Sequence, residues 1–252
     1  MTRKKTPVIN NIVDAFKIMD MINELEQVGV TEIAQTLEIP KATIYRILKS
    51  LEAVNAVKQN KDTSYSLDYH LLNYAKGVSL KQDIISIAQA HMEETVKKTG
   101  ETIYLGMEYK KHLVILNRIH GEFYQLQSSI QPVCDLYCSG LGKLFLAQWS
   151  DEDLKDYFHN LPKRTIHTIN EYDRFKEIQK EIIKNNISTD KEEFEYGLTC
   201  FAVPIFDEEG KVAYALSISG PASRLEYKGI DFLVSSLQDC ALKIQEEWLS
   251  KK

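Results

Sequence analysis

The sequence predicts an α+β protein of two domains, in which a small helical domain with a β-hairpin precedes a larger domain built on a mostly antiparallel sheet. Two observations support this prediction. Three helical patterns and two short strand patterns follow one another within residues 1–67. Helices and strands rich in β-branched and aromatic residues then fill residues 80–252. A length of 252 residues suits two such domains, over residues 1–67 and 80–252.

The first two helices of the small domain are predicted from apolar spacing. Residues 8–26 form an amphipathic helix, which Gly29 ends. A second helix starts at Thr31, a suitable N-cap, with Glu32 in the first turn where negative charge suits the helix dipole. The apolar residues of the first helix are Ile12, Phe16 and Met19, with Ala15, Ile18, Ile22 and Leu25 beside them.

A third helix begins at Pro40, because proline suits the first turn and disfavours helix at the residue before it. Its inward stripe consists of Ile44, Ile47, Leu48 and Leu51. Its other face carries Lys41, Thr43, Tyr45, Arg46 and Lys49. Cations for phosphates and guanine edges, with hydroxyls between them, are typical of a helix that enters the major groove of DNA. An ordinary helix with a solvated charged face is the alternative interpretation.

A polar hairpin follows the third helix and decides between these interpretations. Two short strands, Val57–Gln59 and Ser64–Leu67, flank a turn that contains Lys61. A hairpin directly after a recognition helix is a wing, which contacts the DNA backbone or minor groove. The order helix, helix, helix, hairpin therefore favours a winged helix-turn-helix with Lys61 among its DNA contacts.

The larger domain is predicted to begin with a helix from Leu80 to Thr99, ended by Gly100. Three strands follow as an antiparallel meander, and two more form a hairpin whose turn ends in Gly210. The strand segments are ETIYLGMEY, HLVILNRIH, EFYQLQSS, LTCFAVPIF and KVAYALSIS. The remaining helices are predicted around residues 140–148, 151–159, 171–185 and 224–249.

Small side chains on the last two strands suggest a ligand site. One face of the last strand carries Ala213, Ala215, Ser217 and Ser219, and the strand before it adds Cys200 and Ala202. Because protein interiors leave few voids, either a closely packed helix or a ligand fills this space, and the strand alone supports both equally. The segment Ser139–Gly142 opens a helix whose free amides favour an anion. Together these features indicate a site for a small acid.

Composition excludes several other classes. No apolar run approaches the ~18 residues of a membrane span, and the N-terminal segment lacks the apolar stretch of a signal peptide, so we expect a cytoplasmic protein without a membrane partner. The four cysteines are expected as free thiols, and the histidines show no metal-binding spacing, so neither a metal nor a cofactor is predicted. The net charge is −5, but residues 1–76 carry +1 and the remainder −6, which leaves room for a local DNA-binding face.

Three stretches resemble the IclR (isocitrate lyase regulator) family, and the resemblance covers nearly the whole chain. They are GVTEIAQTLEIPKATIYRILKSLEAVNAV, LYCSGLGKLFLA and DKEEFEYGLTCFAVPIFDEEGKVAYALSISGPASRL. The resemblance implies a larger domain of GAF/profilin-like type that binds an effector. It also implies a linker helix over residues 68–79 that couples the two domains. It places effector contacts at Asp190, Cys200, Ser217 and Ser219, amides that hold the ligand carboxylate at Gly140 and Leu141, beside Ser139, and a pocket-lining residue at Leu126.

The sequence departs from the family pattern at four places. Asn55 replaces a glycine at the end of the recognition helix, although Asn also tolerates the left-handed conformation. The wing turn lacks glycine. Tyr137 stands where the family often has histidine, and Tyr196 stands where smaller residues are usual. The last two are expected to reshape the pocket, so the effector's identity does not carry over.

These observations predict a DNA-binding transcriptional regulator, with repression favoured by the resemblance, whose operator affinity is controlled by a small organic acid. An enzyme is the rival hypothesis, but no GxSxG motif is present and no base is identifiable beside Cys200. A further hypothesis is a ligand-binding protein that uses its helical domain only for dimerisation. The cations of the third helix argue against this hypothesis. Because one winged domain covers only a half-site, we expect a homodimer, or a dimer of dimers, on double-stranded DNA with a near-palindromic operator.

Overall fold

The computed structural model describes residues 8–74, 83–121 and 132–251. Contacts divide the chain into two compact units, residues 1–81 and 82–252, each with its own hydrophobic core. The predicted domain boundaries at residues 67 and 79 stay predictions. Within the predicted linker helix, Tyr69–Leu71 form a 3-10 turn capped by the Asp68 carboxylate, and residues 75–79 lie outside the described part.

The smaller unit has the predicted order of three helices and a hairpin. The elements are α1 (Asn10–Leu25), α2 (Val30–Thr36), α3 (Lys41–Ala53), β1 (Val57–Gln59) and β2 (Tyr65–Leu67). The two strands pair antiparallel, and a bridge from Val28 to Tyr65 ties the hairpin to the segment after α1. The winged helix-turn-helix prediction is therefore confirmed.

The predicted apolar stripe of α1 is wrong for its first half. Ile18 and Ile22 are fully buried, whereas the side chains of Ile12 and Phe16 are 55% and 62% exposed. On a 3.6-residue helix Ile12 and Phe16 share one face, and Ile18 and Ile22 share another. Only the second face meets the core formed by α2, α3 and the hairpin. The first face therefore presents large apolar side chains to solvent.

Local signals at the ends of α2 and α3 are partly confirmed. The second helix starts one residue before Thr31 with Gly29 as its N-cap residue, so the predicted Thr31 cap is wrong. Pro40 is the N-cap residue of α3, which starts at Lys41, one residue later than predicted. Asn55 has a φ of 57°, which is the left-handed conformation that asparagine tolerates better than most residues.

In the described residues, the larger unit contains an antiparallel sheet of six strands between two helical layers, in the order β5-β4-β3-β8-β7-β6. The α+β fold class is confirmed. The helices are α4 (Asp83–Thr99), α5 (Gly140–Leu146), α6 (Asp151–Tyr157), α7 (Tyr172–Asn185), α8 (Ala222–Lys228) and α9 (Ile230–Ser250). The strands are β3 (Thr102–Tyr109), β4 (His112–Ile119), β5 (Val133–Cys134), β6 (Ser188–Lys191), β7 (Leu198–Phe206) and β8 (Val212–Pro221).

Two cores follow from the alternation of side chains along the strands. Residues such as Ile103, Phe201 and Ile218 pack against α4 and α9 on one face. Tyr104 and Ala202 pack against α5 and the helices that follow it on the other face. The small-residue face lies on this second side, beneath α5.

The structure of the larger unit differs from the prediction in two respects. The short strands β5 and β6 were not expected. The predicted helix over 224–249 is two helices, because the backbone turns at Gly229 with a φ of 91°. The predicted strand EFYQLQSS lies outside the described residues. Across the described ranges, none of the helices has the length and apolar character needed to cross a membrane.

Candidate nucleic-acid interface and ligand pocket

The outward face of α3 carries most of the predicted DNA-contacting residues. Ile44, Ile47 and Leu48 are buried and fix the helix against the core of the smaller unit. Its opposite face exposes Lys41, Tyr45 and Arg46, with Thr43 half-buried. Three side chains of the type that contacts phosphates and base edges are thus presented on a rigid element.

Lys49 differs from these residues because the protein already engages its charge. Its ammonium lies 2.6 Å from the Glu52 carboxylate and 3.3 Å from the Gln59 side-chain oxygen. The hydrogen bond with Glu52 raises the pKa of Lys49. The ammonium also lies 5.7 Å from the centre of the Tyr45 ring. Lys49 therefore links the recognition helix to the first strand of the wing.

The wing turn closes without glycine because side chains supply its hydrogen bonds. The Asp62 carboxylate accepts from the Ser64 amide at 3.1 Å and from the Ser64 hydroxyl at 2.6 Å, and these bonds lower the pKa of Asp62. The Asn60 amide group donates to the same hydroxyl at 3.0 Å. Thr63 takes the left-handed conformation, with a φ of 68°. The turn holds Lys61 exposed at the tip.

A small pocket of about 40 Å³ lies between the small-residue face of the sheet and the start of α5. Six of the eight predicted effector residues line it: Ser139, Leu141, Asp190, Cys200, Ser217 and Ser219. Gly140 lies beside it, and Leu126 lies outside the described residues. The other lining residues are mostly apolar and were not predicted; they are Tyr104, Leu113, Ile115, Cys134, Phe194 and Leu198.

Strand register explains why residues distant in sequence meet in this pocket. Asp190 of β6 lies opposite Cys200 of β7, which lies opposite Ser219 of β8. In the next row, Ser217 lies between Ala202 and Tyr104. Each row points one set of side chains toward α5. No pattern in the sequence fixes this register.

The small side chains allow α5 to pack closely on the sheet and also leave space for a ligand. A β-carbon added to Gly140 would lie 2.9 Å from the Cys200 sulfur and 3.3 Å from the Ala202 β-carbon, so α5 packs closely on the sheet. A β-carbon on Gly142 would overlap the Leu136 backbone. The Ser139 hydroxyl caps α5 by accepting from the Gly142 amide at 3.0 Å. Close packing and a remaining pocket therefore coexist.

Asp190 is the most unusual polar group of the pocket, because its side chain is almost fully buried. One carboxyl oxygen, Oδ1, accepts from the amides of Glu193 at 2.7 Å and Phe194 at 3.3 Å. The other, Oδ2, lies 3.9 Å from the Cys200 sulfur. Burial raises the pKa of Asp190 to about 7, although the charge of Lys143 and the amide hydrogen bonds oppose this shift.

A buried ion pair joins the two segments that carry the pocket. The Lys143 ammonium of α5 contacts the Glu193 carboxylate, and their side chains are only 1% and 6% exposed. The hydroxyl of Thr168 donates to the Glu193 backbone carbonyl at 2.8 Å, and that of Thr165 donates to the Glu192 carbonyl at 2.6 Å. This set of bonds holds the segment after β6 against α5. Sequence reasoning missed it, since the partners are 50 residues apart.

The thiols near the pocket are not activated nucleophiles. Burial raises the pKa of Cys134 to about 11 and that of Cys138 to about 12, and it raises the pKa of Cys200 as well. Within the described ranges, no group of three or more His, Cys, Asp or Glu side chains could hold a metal ion. The arrangement is suited to binding a small molecule rather than to covalent catalysis.

Both units match known families. The model described as the IclR helix-turn-helix domain matches residues 13–61, and the model for the C-terminal domain of bacterial IclR transcriptional regulators matches residues 77–246. The regulator KdgR of Escherichia coli is 29% identical over 249 residues, which are 97% of this chain and 94% of KdgR. The DNA-binding transcriptional repressor YiaJ of E. coli is 29% identical over 86% of this chain and 80% of YiaJ.

A solved structure agrees with these sequence matches. The crystal structure of Thermotoga maritima IclR is 31% identical, with a TM-score of 0.67, and the match covers 94% of this chain and 98% of that one. The similar proteins are transcriptional regulators rather than enzymes.

Proposed function

The chain belongs to the IclR family of bacterial transcriptional regulators, and we propose that it is a cytoplasmic repressor whose affinity for a near-palindromic operator is controlled by a small carboxylate effector. The observation that carries this proposal is the presence, on one chain, of an exposed cationic recognition helix and a pocket with a few convergent polar groups. Family members bind DNA through the first domain and small-molecule effectors through the second.

The proposed DNA contacts are Lys41, Thr43, Tyr45 and Arg46 on α3 and Lys61 on the wing. Arg46 lies on the exposed face of α3, where it is proposed to pair with a guanine edge or a phosphate. Lys49 is proposed to contact DNA as well, but with a smaller effect, because Glu52 already balances its charge. We expect these cations to make the affinity fall steeply with salt.

The exposed apolar face of α1 supports a homodimer, in which a second copy of the chain covers it. Ile9, Ile12, Val13 and Phe16 are 67%, 55%, 42% and 62% exposed and follow helical spacing. Burying side chains that are about half exposed is worth about 1 kcal/mol each. In an interface with two-fold symmetry each side chain contributes twice, once from each copy of the chain. Such an arrangement also supplies the two half-site contacts that specific DNA binding needs.

The double variant Ile12→Ser, Phe16→Ser tests this surface. It removes about 4 kcal/mol from a symmetric interface, or roughly a thousandfold in dissociation constant. Light scattering and operator binding across a concentration series measure the effect. Ile183→Ser, which changes an apolar residue that is 56% exposed on α7, is the matched control. Unchanged assembly and unchanged operator affinity in the double variant would exclude α1 as the dimer surface.

The effector proposal rests on the residues of the pocket. Asp190, Cys200, Ser217, Ser219 and the segment from Ser139 to Leu141 supply polar groups, the amides of Gly140 and Leu141 are proposed for the ligand carboxylate, and Leu126 is proposed to line the pocket. A pocket of about 40 Å³ holds only a few non-hydrogen atoms, far below the 300–1,000 Å³ typical of ligand sites. Effector binding must therefore favour a more open arrangement, which is how it shifts the protein between states of different operator affinity. The segment over residues 68–79 is proposed to transmit this change.

Mobility shifts on the DNA upstream of the gene, with and without a panel of small carboxylic acids, test the proposed function. We expect a sequence-specific, salt-sensitive shift that one acid alters. Arg46→Ala should abolish the shift, and Arg174→Ala, an exposed arginine of the larger unit, should not. A folded wild-type protein that shifts no DNA at low salt would contradict the proposal.

A further inference from the structure

We infer that an anionic effector binds this pocket together with a proton, which Asp190 carries and donates to the effector's carboxylate. The inference rests on the proposed function, because it requires a carboxylate ligand in this pocket. The new element is the proton: occupancy of the pocket becomes linked to its uptake from solvent, and Asp190 selects acids by acting as a hydrogen-bond donor.

The geometry of the two carboxyl oxygens assigns the position of the proton. Asp190 is 2% exposed. Two backbone amides, those of Glu193 and Phe194, already donate to Oδ1, so this oxygen is the acceptor end of the group. Among the described contacts, Oδ2 accepts only from the Cys200 thiol, whose sulfur lies 3.9 Å away, and Asp190 lines the pocket. A proton on Oδ2 would therefore point toward a ligand.

The charges around Asp190 leave little to offset a second anion. The positive charge of Lys143, on α5, favours the ionised form of Asp190. This lysine, however, already forms a buried ion pair with Glu193, which lies in the segment after β6. Cys200 of β7 and Cys138 before α5 are neutral thiols, since burial raises the pKa of both. On the far side of the pocket the neutral phenol of Tyr104 hydrogen-bonds to Ser219 and to Arg118. The thiol of Cys134 also lines the pocket and is neutral, since burial raises its pKa to about 11. Two carboxylates side by side in so dry a site repel each other, and one of them takes up a proton.

The free protein is poised for this step. Burial raises the pKa of Asp190 to about 7, so the carboxyl group is about half protonated at neutral pH before any ligand binds. An anion beside it raises the pKa further. The step balances as the Asp190 carboxylate plus one proton from the buffer acid giving the carboxylic acid and the buffer base: the O–H bond formed on Asp190 replaces the bond broken in the buffer acid, and the effector itself is not altered.

Calorimetry on the full-length wild-type protein tests the inference. The probes are acetate, propionate, lactate and benzoate, all of which stay ionised from pH 6 to 8.5. Each titration is repeated at the same pH in phosphate and in Tris, whose different ionisation enthalpies reveal the number of protons taken up. We expect about half a proton per ligand at pH 7, rising toward one at pH 8.5, with the dissociation constant increasing up to tenfold per pH unit above 7.

Three comparisons make the result decisive. Asp190→Asn keeps a neutral donor, so it should bind the acid with no proton uptake and with a pH-independent affinity; Asp239→Asn, at an exposed position of α9, should behave as wild type. Propionamide, a neutral analogue, should bind wild type without taking up a proton if it binds. Should Asp190→Asn fail to fold, the buffer comparison on wild type still decides.

The possible failures are distinguishable. An acid that binds wild type with zero proton uptake and a constant dissociation constant overturns the role of Asp190 and leaves the proposed carboxylate effector intact. Binding of no acid, by a protein that still shifts its DNA, overturns the carboxylate effector and the inference with it.

Discussion

Replacing Lys143 by methionine should destabilise the larger unit severely. The two side chains of the Lys143–Glu193 pair are 1% and 6% exposed, so removing the ammonium leaves a buried carboxylate with no cation beside it. Breaking a buried pair on one side costs about 3–5 kcal/mol. The double variant Lys143→Met, Glu193→Gln removes both charges, and we expect it to recover most of that loss, because the unpaired charge is the main penalty.

Urea unfolding followed by tryptophan fluorescence measures this effect selectively. Trp149 and Trp248 are the two tryptophans of the chain, and both belong to the larger unit. The matched control is Lys111→Met. Its partner Asp156 lies 2.6 Å away, but the two side chains are 50% and 74% exposed, so water screens the pair and this change should leave the unfolding midpoint close to that of the wild type.

Two results would refute this reasoning. The first is that Lys143→Met has the same free energy of unfolding as Lys111→Met. This result would mean that water reaches the Glu193 carboxylate and solvates its unpaired charge. The second is a double variant as unstable as the single one, which would mean that the unpaired Glu193 charge is not the main penalty.

Three further predictions concern other positions. Gly142→Ala should destabilise the larger unit by at least about 2 kcal/mol in the same urea assay, because the added β-carbon overlaps the backbone of Leu136; a neutral result would mean that α5 shifts freely. Tyr65→Phe should leave the smaller unit equally stable or stabilise it by about 1 kcal/mol in thermal melts followed by circular dichroism, because the buried Tyr65 hydroxyl has no hydrogen-bond partner among the described residues; a clear loss would reveal one. The pKa of Asp190 is raised from 3.8 to about 7, so its protonated form stabilises the folded larger unit. This contribution to the free energy of unfolding is complete below about pH 4, and up to about 4 kcal/mol of it is lost as the pH rises through 7. Asp190→Asn should flatten this part of the stability profile, and an unchanged slope would assign the dependence to another group.

Local patterns in the sequence determined the order of elements and the face of α3 that carries the cations. Helical spacing places Lys41, Tyr45 and Arg46 opposite Ile44 and Leu48 whatever surrounds the helix, because the 3.6-residue repeat is a property of the helix itself. The alternation along β8 likewise separated its small residues from its large ones.

Periodicity could not determine which face of α1 meets the core. Ile12 and Phe16 satisfy the spacing of an inward stripe as well as Ile18 and Ile22 do, and only the positions of α2, α3 and the hairpin decide between the two faces. The same limit applies to Gly229, where a backbone turn divides one predicted helix into two.

The geometry of the pocket was decided by tertiary structure alone. The resemblance to a known family suggested Asp190, Cys200 and Ser219 as a group, but the register that aligns them is set by pairing between strands distant in sequence. Desolvation of Asp190 and the ion pair between Lys143 and Glu193 depend on burial, which is a property of the assembled fold. Sequence therefore determines which side chains are available on each element, and packing of the elements determines their charge and contacts.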